Sequence, residues 1–253
     1  DNFLKTQSVF NFGTRTGIDL PNEGSGVIHT SDTMGETELA CSAFGQGYTL
    51  TMIQEINAMC SVINGGYYYQ PHLVTKIKDS SGGIVKTISP TLMKQTISEK
   101  ISADIRSYMA ASVDHGTSRT SKVQGYSSGG KTGTAEKLPR GNGKYLVSFI
   151  GFAPVENPKA VVYAIVDEPD VENQANSVLA QEIVKEIYTE LLPYLNVFPD
   201  DTDGVTGEGS ETGTDDPNVA APVQEDDTEN SAENSNIENG GLTNAELDLI
   251  NEE

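Results

Sequence analysis

The sequence predicts an α+β domain in which an antiparallel sheet is covered by helices, followed by a disordered acidic tail. Three segments space their apolar residues as helices do. Two strongly apolar strand segments, 145–153 and 160–167, are joined by a short turn and followed by one of these helices. Sequential strands joined by tight turns pair antiparallel, and a helix that follows them covers one face of the sheet.

The negative charge of the chain is concentrated at its end. Of 37 acidic residues among 253, 17 lie between Asp200 and Glu253, a segment without Lys or Arg, so 20 acidic residues remain against all 16 basic ones. Because high charge with little apolar content cannot offset the entropy of ordering, we expect a domain over 1–197 and a disordered tail over 198–253. This acidity argues against nucleic-acid binding, and no apolar run is long enough to cross a membrane.

The first half of the chain predicts loops, one helix and a hairpin. Residues 1–36 are rich in glycine and turn residues, which favours ordered loop. Residues 49–64 predict a helix that ends at two glycines, with an apolar stripe of Met52, Ile53, Ile56, Met59, Cys60 and Ile63. Cys41 and Cys60 are interpreted as two buried thiols, because two cysteines make no disulfide framework. Segments 72–78 and 84–88 flank a Ser-Ser-Gly-Gly turn and predict a hairpin.

The second half predicts a helix over 98–113, the small polar segment 127–136, two strands and a last helix. The strands are 145–153 and 160–167, and the helix runs from about Asn176 to Leu192. Its predicted apolar stripe is Val178, Leu179, Ile183, Ile187 and Leu191.

Residues 125–132 satisfy the phosphate-loop pattern G-x-x-x-x-G-K-[ST], which raises the alternative of an ATPase. That loop holds phosphate only between a buried strand and a helix, whose N-terminal amides bind the anion. No apolar strand precedes it here, and Gly133, Pro139, Gly141 and Gly143 follow it and disfavour a long helix. The context therefore favours a strand that lines a cleft.

The motifs of the chain resemble the transpeptidase domain of class B penicillin-binding proteins, over about residues 3–193. The similar segments occur in the family's order, and they are Phe12-Gly13 with Thr16–Pro21, Phe44–Gly47, Asn64–Gly66 with Pro71, Gly116-Thr117, Gly129–Ala135, Ser148–Pro154 and Asn157–Lys159. The resemblance implies a partial penicillin-binding or serine β-lactamase-like fold. It also implies a serine enzyme that crosslinks peptidoglycan stem peptides at D-Ala-D-Ala and is trapped by β-lactams, with no cofactor or metal.

The Lys-Thr-Gly motif at Lys131, Thr132 and Gly133 suits substrate binding. An extended peptide can bond to a strand edge, and a glycine lets two backbones approach closely. The Lys131 ammonium and the Thr132 hydroxyl suit a terminal carboxylate. The resemblance implies that the backbone N–H of Thr134 is an oxyanion-hole donor. The alternative is that Lys131 and Thr132 are ordinary strand surface.

Two family motifs are missing from the sequence. It contains no S-x-N, and the one S-x-x-K, Ser128 to Lys131, falls in the predicted strand, where positions i and i+3 face opposite ways. We therefore expect the C-terminal portion of a transpeptidase domain, without a nucleophile and inactive alone. The parent is expected at the extracytoplasmic face of the bacterial membrane, with cell-wall synthesis proteins as partners. A non-catalytic sensor or scaffold module is the alternative.

Overall fold

The computed structural model describes residues 2–199. The acidic tail predicted over 198–253 therefore lies almost wholly outside the described residues. The helices are α1 (Asn2–Val9), α2 (Glu36–Ala43), α3 (Met52–Ile63), α4 (Glu99–Asp114) and α5 (Val178–Tyr194), with a 3-10 turn at Arg119–Ser121. The strands are β1 (Tyr67–Gln70), β2 (Lys76–Lys78), β3 (Ile84–Thr87), β4 (Thr91–Gln95), β5 (Gly129–Glu136), β6 (Tyr145–Ala153) and β7 (Ala160–Asp167).

The central sheet is an antiparallel meander in the order β5-β6-β7, as predicted. The middle strand β6 is the most buried, because it has a partner on both edges and helices on both faces. Two further antiparallel pairs, β1 with β4 and β2 with β3, stand apart from this sheet. Within residues 2–199, no helix has the length and apolar content needed to cross a bilayer.

Helices pack on the two faces of the sheet and form two apolar clusters. On one face, Phe149 of β6 packs with Val184, Tyr188 and Leu192 of α5, and all four are buried. On the other face, Phe152 of β6 packs with residues of α3 and α4. Successive side chains of a strand point to opposite faces, so residues 149 and 152 belong to different layers. The two layers hold β6 rigidly, and β6 in turn positions β5.

The predicted last helix exists, but its predicted buried stripe is wrong. Ile183 and Ile187 are each 41% exposed, whereas Ala180, Val184 and Tyr188 are buried. The stripe at positions 180, 184 and 188 has the same helical spacing but is displaced by one residue. This stripe contains an alanine and a tyrosine, so it is less apolar by sequence than the stripe with the two isoleucines. It is nevertheless the buried one, because it packs against Phe149.

The apolar stripe predicted for the first helix is also incompletely covered. In α3 the buried residues include Gln54, Asn57, Ala58 and Ser61, whereas Met52 is 46% exposed. The polar members have hydrogen-bond partners: Gln54 donates to two loop carbonyls, Asn57 to the carbonyl of Tyr69 in β1, and Ser61 to the carbonyl of Ala58. Of the predicted stripe, only Ile63 is buried among the described residues.

Several short elements and both thiols differ from prediction. Residues 1–36 were predicted as loop, but 2–9 form α1. Neither α2 nor β4 was predicted; α2 has eight residues and no side-chain cap at Gly35.

Cys41 and Cys60 are free as expected, but both are half-buried rather than buried. Burial raises the pKa of the Cys60 thiol to about 11, so Cys60 is protonated at neutral pH.

Candidate active site

The Lys-Thr-Gly segment lies on β5, which is an edge strand of the central sheet among residues 2–199. Antiparallel ladders alternate hydrogen-bonded and non-bonded residue pairs. The N–H of Lys137 donates to the carbonyl of Lys144 at 2.9 Å, and the register between β5 and β6 has no bulge. The alternation therefore turns the N–H and C=O groups of Thr132 and Thr134 away from β6. These groups face the open edge, as an oxyanion donor and a peptide-binding strand require.

The side chains of the motif divide between the two faces of the sheet. Thr132 pairs with Phe149, so Thr132 and Thr134 lie on the face of α5. Lys131 and Gly133 lie on the opposite face, where Phe152 packs with residues of α3 and α4. A carboxylate that binds both Lys131 and Thr132 must therefore sit at the open edge, where the long lysine and the threonine can reach it from opposite sides.

Two side chains of the motif have intramolecular partners. The Nζ of the exposed Lys131 donates to the carbonyl oxygen of Thr132 at 2.8 Å, at the open edge of the strand. The Thr134 hydroxyl donates to the carbonyl of Ala175 at 3.4 Å, in the segment between β7 and α5. A ligand that takes the Lys131 ammonium must replace a hydrogen bond already made there.

Gly133 is closely approached on the inner face of the sheet. A Cβ at this position would lie 2.5 Å from the hydroxyl oxygen of Ser148, its partner on β6. From the sequence, this glycine is expected to let a substrate backbone approach the strand. The structure adds a second reason for a glycine, which is the space that Ser148 occupies.

A cavity of about 270 Å³ adjoins β5 on the face of Gly133. The loop Phe44–Gln46 lines it, so this predicted motif does lie beside the Lys-Thr-Gly strand. Tyr48, Glu55 and Tyr163 complete its titratable lining. Burial raises the pKa of the Glu55 carboxyl, and burial is also the main cause that raises the tyrosine pKa values. No sequence pattern pointed to these three residues, because they come from distant parts of the chain.

The structure contradicts the two alternative motifs, which are the S-x-x-K match and the phosphate loop. Ser128 is buried with no hydrogen-bond partner for its hydroxyl, whereas Lys131 is exposed, so the S-x-x-K match cannot act as a nucleophile and its base. The phosphate-loop alternative is also wrong. Lys131 and Thr132 lie inside an eight-residue strand, so the residues that directly follow Gly130 continue a strand and do not offer the N-terminal amides of a helix.

An antiparallel sheet between helical layers, with Lys-Thr-Gly on an edge strand, agrees with the resemblance to penicillin-binding transpeptidase domains. The chain matches the family described as penicillin binding protein transpeptidase domain over residues 1–189, and it belongs to that family.

Two curated proteins and one solved structure are among those to which the chain is similar. Stage V sporulation protein D of Bacillus subtilis is 43% identical over 196 residues, which cover 75% of this chain and 30% of that protein. Penicillin-binding protein H of Bacillus subtilis is 32% identical over 197 residues, or 73% of this chain and 27% of that protein. The crystal structure of penicillin-binding protein 3 from Mycobacterium tuberculosis, complexed with ampicillin, has a TM-score of 0.71 at 25% identity. The aligned region covers 80% of this chain and 47% of the chain in that crystal structure. The chain thus spans about 30% of the length of the curated relatives it matches.

Proposed function

We propose that this chain supplies the Lys-Thr-Gly side of the active cleft of a peptidoglycan D,D-transpeptidase. The observation that carries the proposal is the open edge of β5, to which Thr132 and Thr134 turn their N–H and C=O groups. An extended stem peptide ending in D-Ala-D-Ala can add to such an edge by main-chain hydrogen bonds. A β-lactam would occupy the same edge.

Each residue of the motif receives a role in acyl transfer. Lys131 and the Thr132 hydroxyl bind the terminal carboxylate of the donor. A serine from elsewhere in the complete gene product attacks the carbonyl carbon of the penultimate D-Ala, and the N–H of Thr134 stabilises the resulting oxyanion. Collapse expels the terminal D-Ala as its amine, and the amino group of a second stem peptide then takes the acyl group. Gly133 keeps the strand free of a side chain on its inner face.

The proposed setting follows from the same chemistry. Stem peptides lie outside the cytoplasmic membrane, so the domain would act at the extracytoplasmic face of the bacterial membrane, beside other proteins of cell-wall synthesis. The chain alone contains no S-x-x-K helix and no S-x-N, so we propose that it does not form an acyl-enzyme by itself.

Fluorescent penicillin tests the proposal. The complete gene product should give a labelled band that survives denaturation, and Lys131→Met should slow labelling about tenfold to hundredfold, because a hydrogen bond to a charged group contributes about 1.5–3 kcal/mol. Lys185→Met, which removes an exposed lysine of α5, is the matched control and should label as the wild type does. An unlabelled complete product would favour the sensor or scaffold alternative, and a labelled 253-residue chain would refute its inactivity.

A further inference from the structure

An ionic cluster ties together the two ends of the connection between β5 and β6. Glu168 accepts from Lys137 Nζ at 2.6 Å with one carboxylate oxygen and from Lys144 Nζ at 2.7 Å with the other. Lys137 also contacts both oxygens of Asp167, at 3.0 and 3.1 Å. Lys137 directly follows β5 and Lys144 directly precedes β6, so one carboxylate bridges both ends of the hairpin.

The backbone of Glu168 is held in place for this bridge. Its N–H donates to the carbonyl of Tyr145 at 2.9 Å, which extends the β6–β7 ladder by one pair. Its φ of 47° lies in the left-handed region that non-glycine residues seldom adopt. Glu168 directly follows the end of β7, and this backbone conformation places its carboxylate between both lysines.

The hairpin arm, defined here as residues 138–143, is otherwise held by local contacts. Leu138 is 82% exposed, and the glycines at 141 and 143 have open space around them. The N–H of Gly141 donates to the Glu136 carboxylate at 2.5 Å, and the N–H of Lys144 donates to the Asn142 side chain at 2.8 Å. Both bonds stay within the hairpin, and the backbone hydrogen bond from Lys137 to Lys144 closes its base. Beyond this backbone pairing, the side-chain contacts that join the ends of the arm to β7 run through Glu168 and Asp167.

The segment that follows Glu168 also reaches the candidate active site. The Ala175 carbonyl accepts from the Thr134 hydroxyl at 3.4 Å, and the Gln174 side chain accepts from the N–H of Tyr145 at 3.1 Å. An edge strand has a ladder partner on one side only, so its end depends on contacts of this kind. Thr134 lies three residues before Lys137, within the part of β5 that the cluster secures.

We propose that Glu168 is a positioning residue for acyl transfer, which fixes the end of β5, and with it the Thr134 N–H, by bridging Lys137 and Lys144. The inference rests on the proposed transpeptidase function. Glu168 does not reach the open edge itself and acts through the two lysines. The lysines lower the pKa of its carboxyl to about 2, so the bridge is charged at every pH at which the protein would work. Its partly exposed position makes the bridge sensitive to salt.

The test compares Glu168→Gln with wild type in the complete gene product, and Glu190→Gln, an exposed acid on α5, serves as the matched charge control. Three readouts are expected to move together. The second-order rate of acylation by a fluorescent penicillin should fall about three- to tenfold, the range that two partly exposed ion pairs supply. Raising NaCl from about 0.05 M to about 0.5 M should lower the wild-type acylation rate towards that of Glu168→Gln. The acylation rate of the variant itself should change little with salt. Amide hydrogen exchange in the hairpin arm should accelerate in the variant.

Lys144→Met completes a double-mutant cycle with Glu168→Gln, and the double variant should be little slower than Glu168→Gln alone, because both changes remove the same pair. An acylation rate equal to that of Glu190→Gln would overturn the proposal. A slower rate without faster exchange in the arm would also overturn it, because the effect would not then run through the hairpin. If wild type takes no penicillin, the proposed function fails, whereas the exchange measurement still decides whether Glu168 fixes the arm.

Discussion

Two separate features of the structure require a small residue at Gly133, the open edge of β5 and the packing of β5 on β6. Its backbone lies on the open-edge strand, and its missing Cβ leaves space for the hydroxyl of Ser148. Ser148 is only 8% exposed, and its hydroxyl would have to turn into the adjoining cavity before a Cβ could fit. The glycine therefore serves the packing of β5 on β6 as well as the cleft.

We expect Gly133→Ala to destabilise the complete gene product by about 1–3 kcal/mol, as added atoms do in a packed site. Urea unfolding would measure this loss. Ser148→Ala removes the atom that the new Cβ would meet, so the double variant should recover most of the stability lost. A double variant as unstable as Gly133→Ala would show that contact with Ser148 is not the cause.

At this scale, the sequence predicted the residues with local signatures and missed those that act across the chain. Lys131 to Thr134 lie in one short motif, and their place on a cleft-lining strand was predicted. Glu168 is bound by lysines far along the chain, and Glu55 lines a cavity together with distant residues. No spacing rule joins Glu168 to Lys137 or Lys144, which are 31 and 24 residues away.

At the scale of elements, helix α3 shows how hydrogen bonding can select a buried face. Gln54 is 0% exposed, and its side chain donates to the carbonyls of Thr14 and Ser25 at 2.7 and 2.9 Å. Its side-chain oxygen accepts from the N–H of Thr51, whose hydroxyl accepts from the N–H of Gln54 in return. This capping box starts the helix and also anchors the preceding loop to it.

Gln54→Met should therefore cost at least about 2 kcal/mol in the free energy of unfolding, because it leaves the Thr14 and Ser25 carbonyls and the Thr51 N–H without their partner. The matched change Gln124→Met, at an exposed position, should cost little. Urea unfolding of both variants measures the difference. Equal stability of the two would mean that these hydrogen bonds contribute nothing net.

Element existence was predicted better than element orientation. The helices α3, α4 and α5 and the strands β6 and β7 follow from periodicity, because their apolar residues recur over many turns or positions. The faces of α3 and α5 could not be predicted, since large apolar residues were assumed to be the buried ones. Short elements such as α1, α2 and β4 contain too few residues to show a repeating pattern of apolar positions.

At the scale of the whole molecule, the described residues leave apolar surface uncovered. Phe44, which directly follows α2, and Met52, which begins α3, are 67% and 46% exposed, and the β2–β3 hairpin exposes Ile84 and Val85 at 59% and 66%. Where exposed apolar side chains form a large patch, they mark contact sites in soluble proteins.

We expect the isolated 253-residue chain to bind a hydrophobic dye such as anilinonaphthalene sulfonate and to unfold over a broad range of denaturant. The complete gene product should bind less dye per mole of this domain, because the apolar face near α3 would be covered by the rest of the domain. Fluorescence titration and urea unfolding of both proteins measure this. Cooperative unfolding of the isolated chain without dye binding would contradict the expectation.

The hydrogen bond from Lys131 to the Thr132 carbonyl has a consequence for association between molecules. An exposed edge strand is a template on which a second copy can add its own strand, and a charged side chain at the edge discourages such growth. Here the ammonium covers the acceptor that a foreign N–H would seek, and it brings a charge that must be desolvated before two edges can meet. A carboxylate ligand can draw the lysine aside with a stronger interaction, whereas a neutral strand cannot. Under the proposed function, the same lysine would keep a second copy from pairing at the edge and would leave the edge accessible to an anionic peptide terminus.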